Sequence, residues 1–372
     1  MQTGHDLIVI GGGPAGASCA ARAADLGLSV ALLEKARFPR PKPCAGGLSV
    51  RALPLFRDLP ASIVLSSPAV CEIVLSDDVA VTWRGDGPAV VTTRRSELDA
   101  WLLSRARGAG ALVVERAPAR LVEARDRAVV EAGGRRWSAP WLVAADGVVG
   151  RTRATLGFPA QRAGGAIYVR VPLTPGGFDS LLDRAIFDLS AVRGGYGWVF
   201  PKGDHLSVGV YGARSTSTEL RRLLDSFLDR EGLGELPHEG PFAFPVPTSA
   251  GPVGRGRALL VGDAAGFADP VTGEGIPHAI RSGRIAAECV EDALSAQRDA
   301  LTDYAKRVRH EVLPLVNEFV LPGRLMRGLG PGAIAVLLKM MPLRRLLRIA
   351  APAVAKGEKA FHVETPHTRR GQ

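Results

Sequence analysis

Three glycines near the start of the sequence have the spacing of a turn that binds a dinucleotide. Gly11, Gly13 and Gly16 follow the strand-like run 6–10. Glycines at this spacing permit a tight turn and let backbone N–H groups at the start of a helix approach a pyrophosphate. Glu34 comes about 20 residues later, where its carboxylate can accept hydrogen bonds from ribose hydroxyls and would repel a 2′-phosphate. The pattern therefore predicts a site for FAD or NAD rather than for NADP.

The elements that must position this turn follow from the hydrophobic pattern. Apolar runs at 6–10 and 29–33 predict two buried parallel strands, joined by a small-residue helix that Gly27 can end. Further buried or antiparallel strands are predicted within 69–93, 141–145, 164–212 and 258–261. Nucleotide-type elements thus flank an antiparallel block. We predict an α/β fold in which a discontinuous Rossmann-like domain carries an inserted antiparallel β-sheet domain, followed by a helical C-terminal region.

The cysteine count and the lengths of the apolar runs exclude several classes of protein. The four cysteines are scattered and form no CxxC pair, which argues against a zinc site or a disulfide framework. No apolar run approaches the roughly 18–20 residues that span a bilayer, and no signal segment precedes the first strand. We therefore expect a cytoplasmic protein that holds no metal.

The positive charge is concentrated at one end of the chain. The formal net charge is +10, and residues 321–372 contribute +8 of it. Leucine and methionine pairs alternate with arginines in this region, which suits an amphipathic helix on the anionic inner face of a membrane. An ordinary docked helix with a charged outer face fits the pattern equally well. Nucleic acid is disfavoured as a partner because no array of stacking aromatic side chains accompanies the charge.

Two further motifs give the sequence a family resemblance. Ala145-Asp146-Gly147 and Gly262-Asp263-Ala264-Ala265-Gly266 each follow an apolar run. Together with the first glycine turn, they resemble the FAD-dependent oxidoreductases of the p-hydroxybenzoate hydroxylase superfamily. The resemblance implies that Asp263 hydrogen-bonds the ribityl chain of FAD. It also implies that Asp146 and Gly147 support the fold near the flavin and are linked to NAD(P)H use.

Within that superfamily, two segments make the chain most similar to the geranylgeranyl reductases. Residues 42–48 resemble the family's K-x-C-G-G loop beside the isoalloxazine ring, and residues 196–201 resemble its YxWxFP substrate motif. The sequence departs from the family at Ala45, which replaces the first glycine after the cysteine. It departs again at Tyr211, where the motif's final glycine is expected.

The resemblance implies a set of site residues. Cofactor contacts are implied for Gly11, Gly13, Ala15, Gly16, Glu34, Cys44, Ala45, Gly47, Arg95, Leu121, Asp146, Gly147, Gly262, Asp263, Gly275 and Ile276. Of these, Arg95 would lie near the pyrophosphate and Leu121 would offer backbone to the adenine. Gly275 and Ile276 would present N–H groups to the N1–C2=O edge of the flavin. Substrate contacts are implied for Tyr196, Trp198, Phe200 and Gly209.

The resemblance also implies the domain limits and the reaction. It makes 1–65, 95–160 and 251–300 the FAD-binding domain, 66–94 and 161–250 the substrate domain, and 301–372 the helical basic C-terminal region. The family saturates C=C bonds of geranylgeranyl and other isoprenoid chains by hydride transfer from N5 of reduced flavin. The chain carrying those bonds can be a diphosphate, a lipid or a quinone. The electron donor would be NAD(P)H or ferredoxin.

Two interpretations remain open for the residues nearest this chemistry. The Cys44 thiol either supplies the proton that alkene reduction requires or is a small packing residue. Tyr196, Trp198 and Phe200 alternate, so on a strand they would share one face. That face is either the wall of an apolar prenyl tunnel or part of an ordinary β-domain core.

Two other functions are weighed against prenyl reduction. The first is an FAD-dependent aromatic monooxygenase or halogenase, because residues 198–201 echo the WxWxIP segment of halogenases. Residues 51–94, however, contain no lysine for the haloamine that a halogenase requires. The second is a non-catalytic prenyl-lipid carrier, against which the intact flavin motifs argue.

Overall fold

The computed structural model describes residues 3–84, 87–88, 90–174, 178–326, 329–330 and 333–334. The strands are β1 Thr3–Gly4, β2 Leu7–Ile10, β3 Val30–Leu33, β4 Gly47–Ser49, β5 Val64–Ser66, β6 Val70–Ser76, β7 Val79–Arg84, β8 Val90–Thr93, β9 Leu112–Val114, β10 Ala119–Ala124, β11 Ala128–Ala132, β12 Arg135–Ala139, β13 Trp141–Ala144, β14 Ala163–Pro172, β15 Arg184–Asp188, β16 Gly195–Pro201, β17 His205–Gly212, β18 Glu239–Pro247, β19 Gly254–Arg255 and β20 Ala258–Leu260. The α-helices are α1 Pro14–Asp25, α2 Arg95–Gly108, α3 Thr152–Thr155, α4 Asp179–Leu182, α5 Ser217–Arg230, α6 Ile276–Ser295, α7 Ala300–Arg307, α8 Leu313–Val316 and α9 Val320–Met326.

The chain forms two compact units, each built from separate segments. Of the described residues, the first unit comprises those within 1–42, 95–163 and 246–320, and the second comprises those within 43–94, 164–245 and 321–334. The predicted α/β fold is confirmed, with a parallel sheet in a unit assembled from separate segments of the chain.

The first unit is organised around a six-stranded sheet in the order β19-β20-β13-β2-β3-β9. Every pairing in it is parallel except that of β19 with β20. The residues of β2, β3 and β13 are all buried, which explains their unbroken apolar runs, because helices cover both faces of such a sheet. Helix α1 crosses α6 at Gly283, where a Cβ would overlap the backbone of Ala15. A second sheet of this unit has the order β1-β12-β11-β10.

The second unit is organised around a seven-stranded sheet in the order β18-β14-β17-β16-β15-β6-β7. The predicted antiparallel pairing holds for β14–β17, β17–β16, β16–β15 and β6–β7, whereas β15 and β6 are parallel. One face packs on α5, whose Leu224 and Phe227 lie against Val199, Val208 and Val210 of the sheet. A small sheet in the order β4-β8-β5 completes the unit.

Residues 43–65 and 301–320 are among the segments that belong to different units from those expected. Residues 43–65 lie in the second unit rather than with the first 42 residues, because β4 and β5 both pair with β8. Residues 301–320 lie in the first unit rather than in a separate tail. Tyr304 of α7 is fully buried there, and its hydroxyl donates to the Leu260 carbonyl at 2.9 Å.

The C-terminal region is helical over its described part, which includes α8 and α9. Most of the basic residues predicted to form a membrane-binding helix fall in 335–372, outside the described residues. Within the described ranges, none of the helices combines the length and the apolar character that crossing a bilayer requires.

Candidate functional site

The glycine turn of the first unit forms a cradle at the start of α1. Gly11 has φ +101°, and a Cβ there would overlap the Ala145 carbonyl oxygen. A Cβ at Gly16 would overlap the Gly11 carbonyl oxygen, so both glycines are required by close backbone packing. Gly13 is the N-cap of α1 and makes no side-chain capping bond. Among the described residues, a Cβ at Gly13 would meet only Arg40 Nη2 within 4 Å, at 3.8 Å. The open helix N-terminus fits the pyrophosphate of FAD.

Glu34 lies beside this turn at the end of β3 and is 4% exposed. One carboxylate oxygen accepts a hydrogen bond from the Gly12 N–H at 2.6 Å, and the other accepts from the Ala36 N–H at 2.8 Å. Each oxygen retains a second lone pair that can accept from a ribose hydroxyl. Glu34 can therefore accept from a ribose hydroxyl, as predicted, and at the same time hold the glycine turn against the end of β3.

A pair of arginines near the turn shares one buried carboxylate. Arg95, at the start of α2, donates to both oxygens of Asp99 at 2.7 and 2.8 Å. Arg40 lies 3.3 Å from Asp99, which is fully buried, and its guanidinium stacks over the Phe38 ring at 4.6 Å. Sequence reasoning found Arg95 but missed Arg40 and Asp99. The four-residue spacing of Arg95 and Asp99 signals a helical ion pair, whereas nothing in the sequence pattern indicates Arg40.

Asp263 and the start of α6 come together at the end of β20. The Gly262 N–H donates to the Ser282 hydroxyl of α6 at 3.0 Å, and a Cβ at Gly275 would lie 3.2 Å from an Asp263 carboxylate oxygen. Burial raises the pKa of Asp263, while the charges of Arg95 and Lys42 act to lower it. Gly275 is the N-cap of α6 without a side-chain cap, and Ile276 begins the helix. A carboxylate acceptor thus lies beside an open helix N-terminus, where negative charge is stabilised.

The other predicted cofactor residues of this unit hold loops or lie in the second sheet. Asp146 accepts a hydrogen bond from the Thr152 N–H at 2.9 Å, and a Cβ at Gly150 would overlap its carboxylate. Gly147 has φ +79°, which favours glycine. Leu121 lies in β10 with a buried side chain, at a point where the β10–β11 register shifts. Only its backbone remains available for the predicted contact.

The Cys44 loop of the second unit leads into β4. The Cys44 thiol is half-buried and unoxidised, and its Sγ accepts a hydrogen bond from the Gly46 N–H at 3.3 Å. Gly46 has φ +71°, while Ala45 stays outside the left-handed region, so alanine fits there without backbone strain. A Cβ at Gly47 would lie 3.0 Å from the Phe200 ring, so the loop packs directly against the aromatic residue of β16.

Two residues that sequence reasoning missed contact this loop. The Tyr168 phenol of β14 is buried and receives hydrogen bonds from the Arg170 side chain and the Cys44 backbone. Lys202, 5% exposed, donates from Nζ to the Thr93 carbonyl at 2.9 Å. Burial lowers the pKa of Lys202 to about 8, against the opposing effect of Cys44. In the sequence, Lys202 could have been found from its position directly after residues 196–201, the segment that resembles YxWxFP.

Aromatic side chains cover the face of the seven-stranded sheet opposite α5. Along β16, the ring centroids of Tyr196 and Trp198 lie 6.1 Å apart, and those of Trp198 and Phe200 lie 6.4 Å apart. These contacts confirm that the three residues share one face. Tyr168 and Tyr211 extend it, with centroids 6.4 Å from Trp198 and 5.7 Å from Tyr196 respectively.

Gly209 lies opposite Trp198 in the β16–β17 register. A Cβ at Gly209 would overlap the Trp198 ring, so the glycine makes room for the indole. Trp198 is 1% exposed and donates from its indole N–H to the Ser207 hydroxyl at 3.2 Å. Tyr211, two residues farther along β17, adds a ring to the same face at the position where the family motif has glycine.

Comparison with known proteins finds an FAD-binding family and several reductases. Residues 5–171 match the family described as FAD binding domain. Digeranylgeranylglycerophospholipid reductase 1 of Methanopyrus kandleri is 33% identical over 319 residues, which cover 81% of this chain and 84% of that protein. The menaquinone reductase of Mycolicibacterium smegmatis is 31% identical over 337 residues, which cover 82% of this chain and 79% of that protein.

A solved structure has the same fold along nearly the whole chain. The geranylgeranyl bacteriochlorophyll reductase-like protein of Thermoplasma acidophilum superposes on this chain with a TM-score of 0.79 at 23% identity. The superposition covers 96% of this chain and 98% of that protein's chain.

Proposed function

The chain belongs to the geranylgeranyl reductase family of FAD-dependent oxidoreductases, and from that premise we propose that it saturates C=C bonds of an isoprenoid chain. The substrate is a geranylgeranyl or related prenyl group attached to a diphosphate, a lipid or a quinone. The observation that carries the proposal lies in the second unit, where the aromatic face meets the Cys44 loop. Phe200 packs on Gly47, and Tyr168 contacts the Cys44 backbone.

The first unit has the groups to hold FAD. The open N-terminus of α1 and the guanidinium groups of Arg40 and Arg95 suit the pyrophosphate, and Glu34 suits a ribose. Asp263 suits the ribityl hydroxyls, and the N-terminus of α6 suits the flavin edge that gains negative charge on reduction. When bound and reduced, FAD supplies the hydride. NAD(P)H or ferredoxin would restore the reduced state.

Cys44 is our candidate for the proton donor. An isolated alkene needs one hydride and one proton to become a CH–CH unit. In the proposed step, the Sγ–H bond of Cys44 breaks as a new C–H bond forms on the alkene carbon that does not receive the hydride. A thiolate remains on Cys44.

The aromatic face would receive the hydrocarbon chain. Its rings are apolar, Tyr196 is partly exposed, and a prenyl chain packed against them would remove apolar area from water. The second interpretation of this face, as plain core packing, predicts that substitutions there change stability without changing the choice of substrate.

The basic end of the chain gives a reason for peripheral membrane contact. A prenyl-lipid substrate resides in a membrane, and residues 321–372 carry a formal charge of +8. Such a segment is attracted to anionic lipid. We therefore extend the proposal to association with the inner face of a membrane.

Anaerobic photoreduction of the flavoprotein, followed by mass spectrometry with a panel of prenyl substrates, tests the reaction. We expect products that have gained two hydrogens for each bond reduced. Cys44→Ala should bind FAD and accept electrons but lose most alkene reduction. Cys71→Ala is the matched control, because burial raises the pKa of that thiol to about 12 and removes it from proton transfer.

Other outcomes would favour the alternatives. Oxygen or halogen incorporated into an aromatic substrate would indicate a monooxygenase or halogenase. A protein purified without FAD that cannot be loaded with it would favour the lipid carrier. Unchanged alkene reduction by Cys44→Ala would remove Cys44 from the proton step.

A further inference from the structure

A buried lysine lies directly beneath the loop that carries Cys44. Lys202 follows β16, and its Nζ packs against Gly46 so closely that a Cβ on that glycine would overlap it. The same Nζ donates to the Thr93 carbonyl at 2.9 Å, and the Thr93 N–H donates to the Gly46 carbonyl at 2.8 Å. The ammonium group therefore lies where the Cys44 loop is hydrogen-bonded to the end of β8.

Among the charged groups near Lys202, we take the Cys44 thiolate as the one that pairs with the ammonium. The cations Arg94 and Arg170 and the anion Asp204 all act on Lys202 through space. Asp204 is itself held by Arg94 at 2.6 Å and by His205 at 2.6 Å. Among the described residues, no ion pair joins a carboxylate to Lys202. The Tyr168 phenol also faces the Cys44 loop, but burial raises its pKa and favours its neutral form, whereas a negative charge on Cys44 acts favourably on Lys202.

Burying an ammonium without a carboxylate partner is costly for the fold. The desolvation of a charge disfavours the charged form unless an opposite charge or good hydrogen bonds compensate. Here one neutral carbonyl supplies the hydrogen bond. A methionine of similar volume would fill the same space without that cost, so a lysine at 202 is better explained by what it does for its neighbour than by packing.

We propose that Lys202 is the positioning residue for Cys44, holding the 44–47 loop and compensating the charge of the thiolate that remains when the thiol gives up its proton. The inference rests on the proposed function, in which Cys44 is the proton donor. Only the Sγ–H bond breaks and only the substrate C–H bond forms in that step. Lys202 keeps its protons and acts by its charge and its contact with Gly46.

The pH profile of Cys44 alkylation tests this role without any substrate. The FAD-loaded protein is treated with iodoacetamide from pH 6 to pH 9, and the Cys44 peptide is quantified by mass spectrometry. We expect Lys202→Met to slow alkylation at neutral pH by about threefold to tenfold and to move the profile to higher pH, since a thiolate without a nearby cation is less populated. Peptide resolution separates Cys44 from the other three cysteines, for which burial raises the pKa of the thiol.

The matched control removes the same charge elsewhere. Lys306→Met alters an exposed lysine of α7 and should leave the Cys44 profile unchanged. Flavin absorbance and thermal unfolding establish that each variant is folded. If Lys202→Met loses FAD, Lys202→Gln gives the same readout with an N–H donor kept for the Thr93 carbonyl.

The direction of the change decides the outcome. Loss of the charge slows alkylation and shifts its pH dependence, whereas loosening of the loop alone would speed alkylation at every pH. An unchanged or faster reaction in Lys202→Met overturns the inference. If the parent protein reduces no prenyl substrate but the profile still depends on Lys202, the proposed function fails while the Lys202–Cys44 pairing stands.

Discussion

At the scale of single residues, Glu34 combines a structural role with a ligand role. Its two oxygens accept from the Gly12 and Ala36 N–H groups, and both bonds need the carboxylate to be an acceptor on each side. An amide in its place would turn an NH₂ group towards one of those donors. The residue type is thus required by the turn as well as by the proposed ribose contact.

We predict that Glu34→Gln weakens FAD retention and lowers the free energy of unfolding by about 1–3 kcal/mol, the cost of an unsatisfied buried donor. The flavin absorbance per protein after gel filtration and a urea titration measure the two effects. Glu123→Gln, exposed on β10, is the control and should change neither. Full FAD retention by Glu34→Gln would remove the carboxylate from the site.

Lys202 gives a pH-dependent prediction at the same scale. Burial lowers its pKa from 10.5 to about 8, so between these values the unfolded chain binds a proton that the folded chain has lost. The free energy of unfolding should therefore rise with pH across this window, by about 1 kcal/mol between pH 8 and pH 9. Lys202→Met should lack this rise, as urea titrations of both proteins at pH 7, 8 and 9 will measure. Parallel pH dependence in the two proteins would contradict the assigned shift.

At the scale of elements, β16 and β17 build the aromatic face through their strict register. Trp198 lies opposite Gly209, and Tyr196 lies opposite Tyr211. Side chains alternate along β16, so Tyr196, Trp198 and Phe200 all point to this face. Gly209 on β17 has no side chain, which leaves room for the Trp198 indole. The opposite face of the same strands packs on α5, so the two faces have separate tasks.

We predict that Gly209→Ala destabilises the protein by about 1–3 kcal/mol, because the new methyl group would overlap Trp198 and lie 2.5 Å from the Tyr168 Cβ. Prenyl reduction should fall with it if the indole is displaced. Gly108→Ala is the control, since that exposed glycine at the end of α2 has nothing within 4 Å of a Cβ among the described residues. Thermal unfolding and turnover of both variants give the comparison. A fully stable, fully active Gly209→Ala would show that the face adapts.

At the scale of the whole molecule, the charge distribution separates the basic end from a nearly neutral remainder. Residues 321–372 carry +8 of the formal +10. We propose that this charge attracts the molecule to an anionic surface, an attraction that weakens as the salt concentration rises.

We predict that the full chain floats with vesicles containing anionic lipid at low salt and is released at high salt. Exchanging Arg344, Arg345 and Arg348 for glutamate should weaken binding at least about a hundredfold, at about 1 kcal/mol for each cation lost near the surface. Vesicles of neutral phosphatidylcholine are the control. Flotation that does not depend on anionic lipid would count against the proposal.

The sequence predicts those parts of the molecule whose arrangement depends on residues close together in the chain. The segments 6–10 and 29–33 are predicted to be buried strands because residues 7–10 and 30–33 are all apolar, and the flanking glycines mark the turn and the helix end. The limits of the two units were harder to predict from the sequence. Residues 43–65 look like a continuation of the first domain, yet β4 and β5 pair with β8, and this pairing depends on partners 26 to 45 residues away along the chain.

The amino-acid sequence alone determined the glycine cradle, the carboxylate beside it and the shared face of Tyr196, Trp198 and Phe200, because these arrangements arise from neighbouring residues and the period of one strand or helix. Only the tertiary structure decided that Arg40 reaches the Asp99 carboxylate, and that the ammonium of Lys202 lies under the Cys44 loop. The physical reason is that these contacts join residues far apart in the chain. Their geometry is fixed by the packing of a whole unit, which no local pattern records.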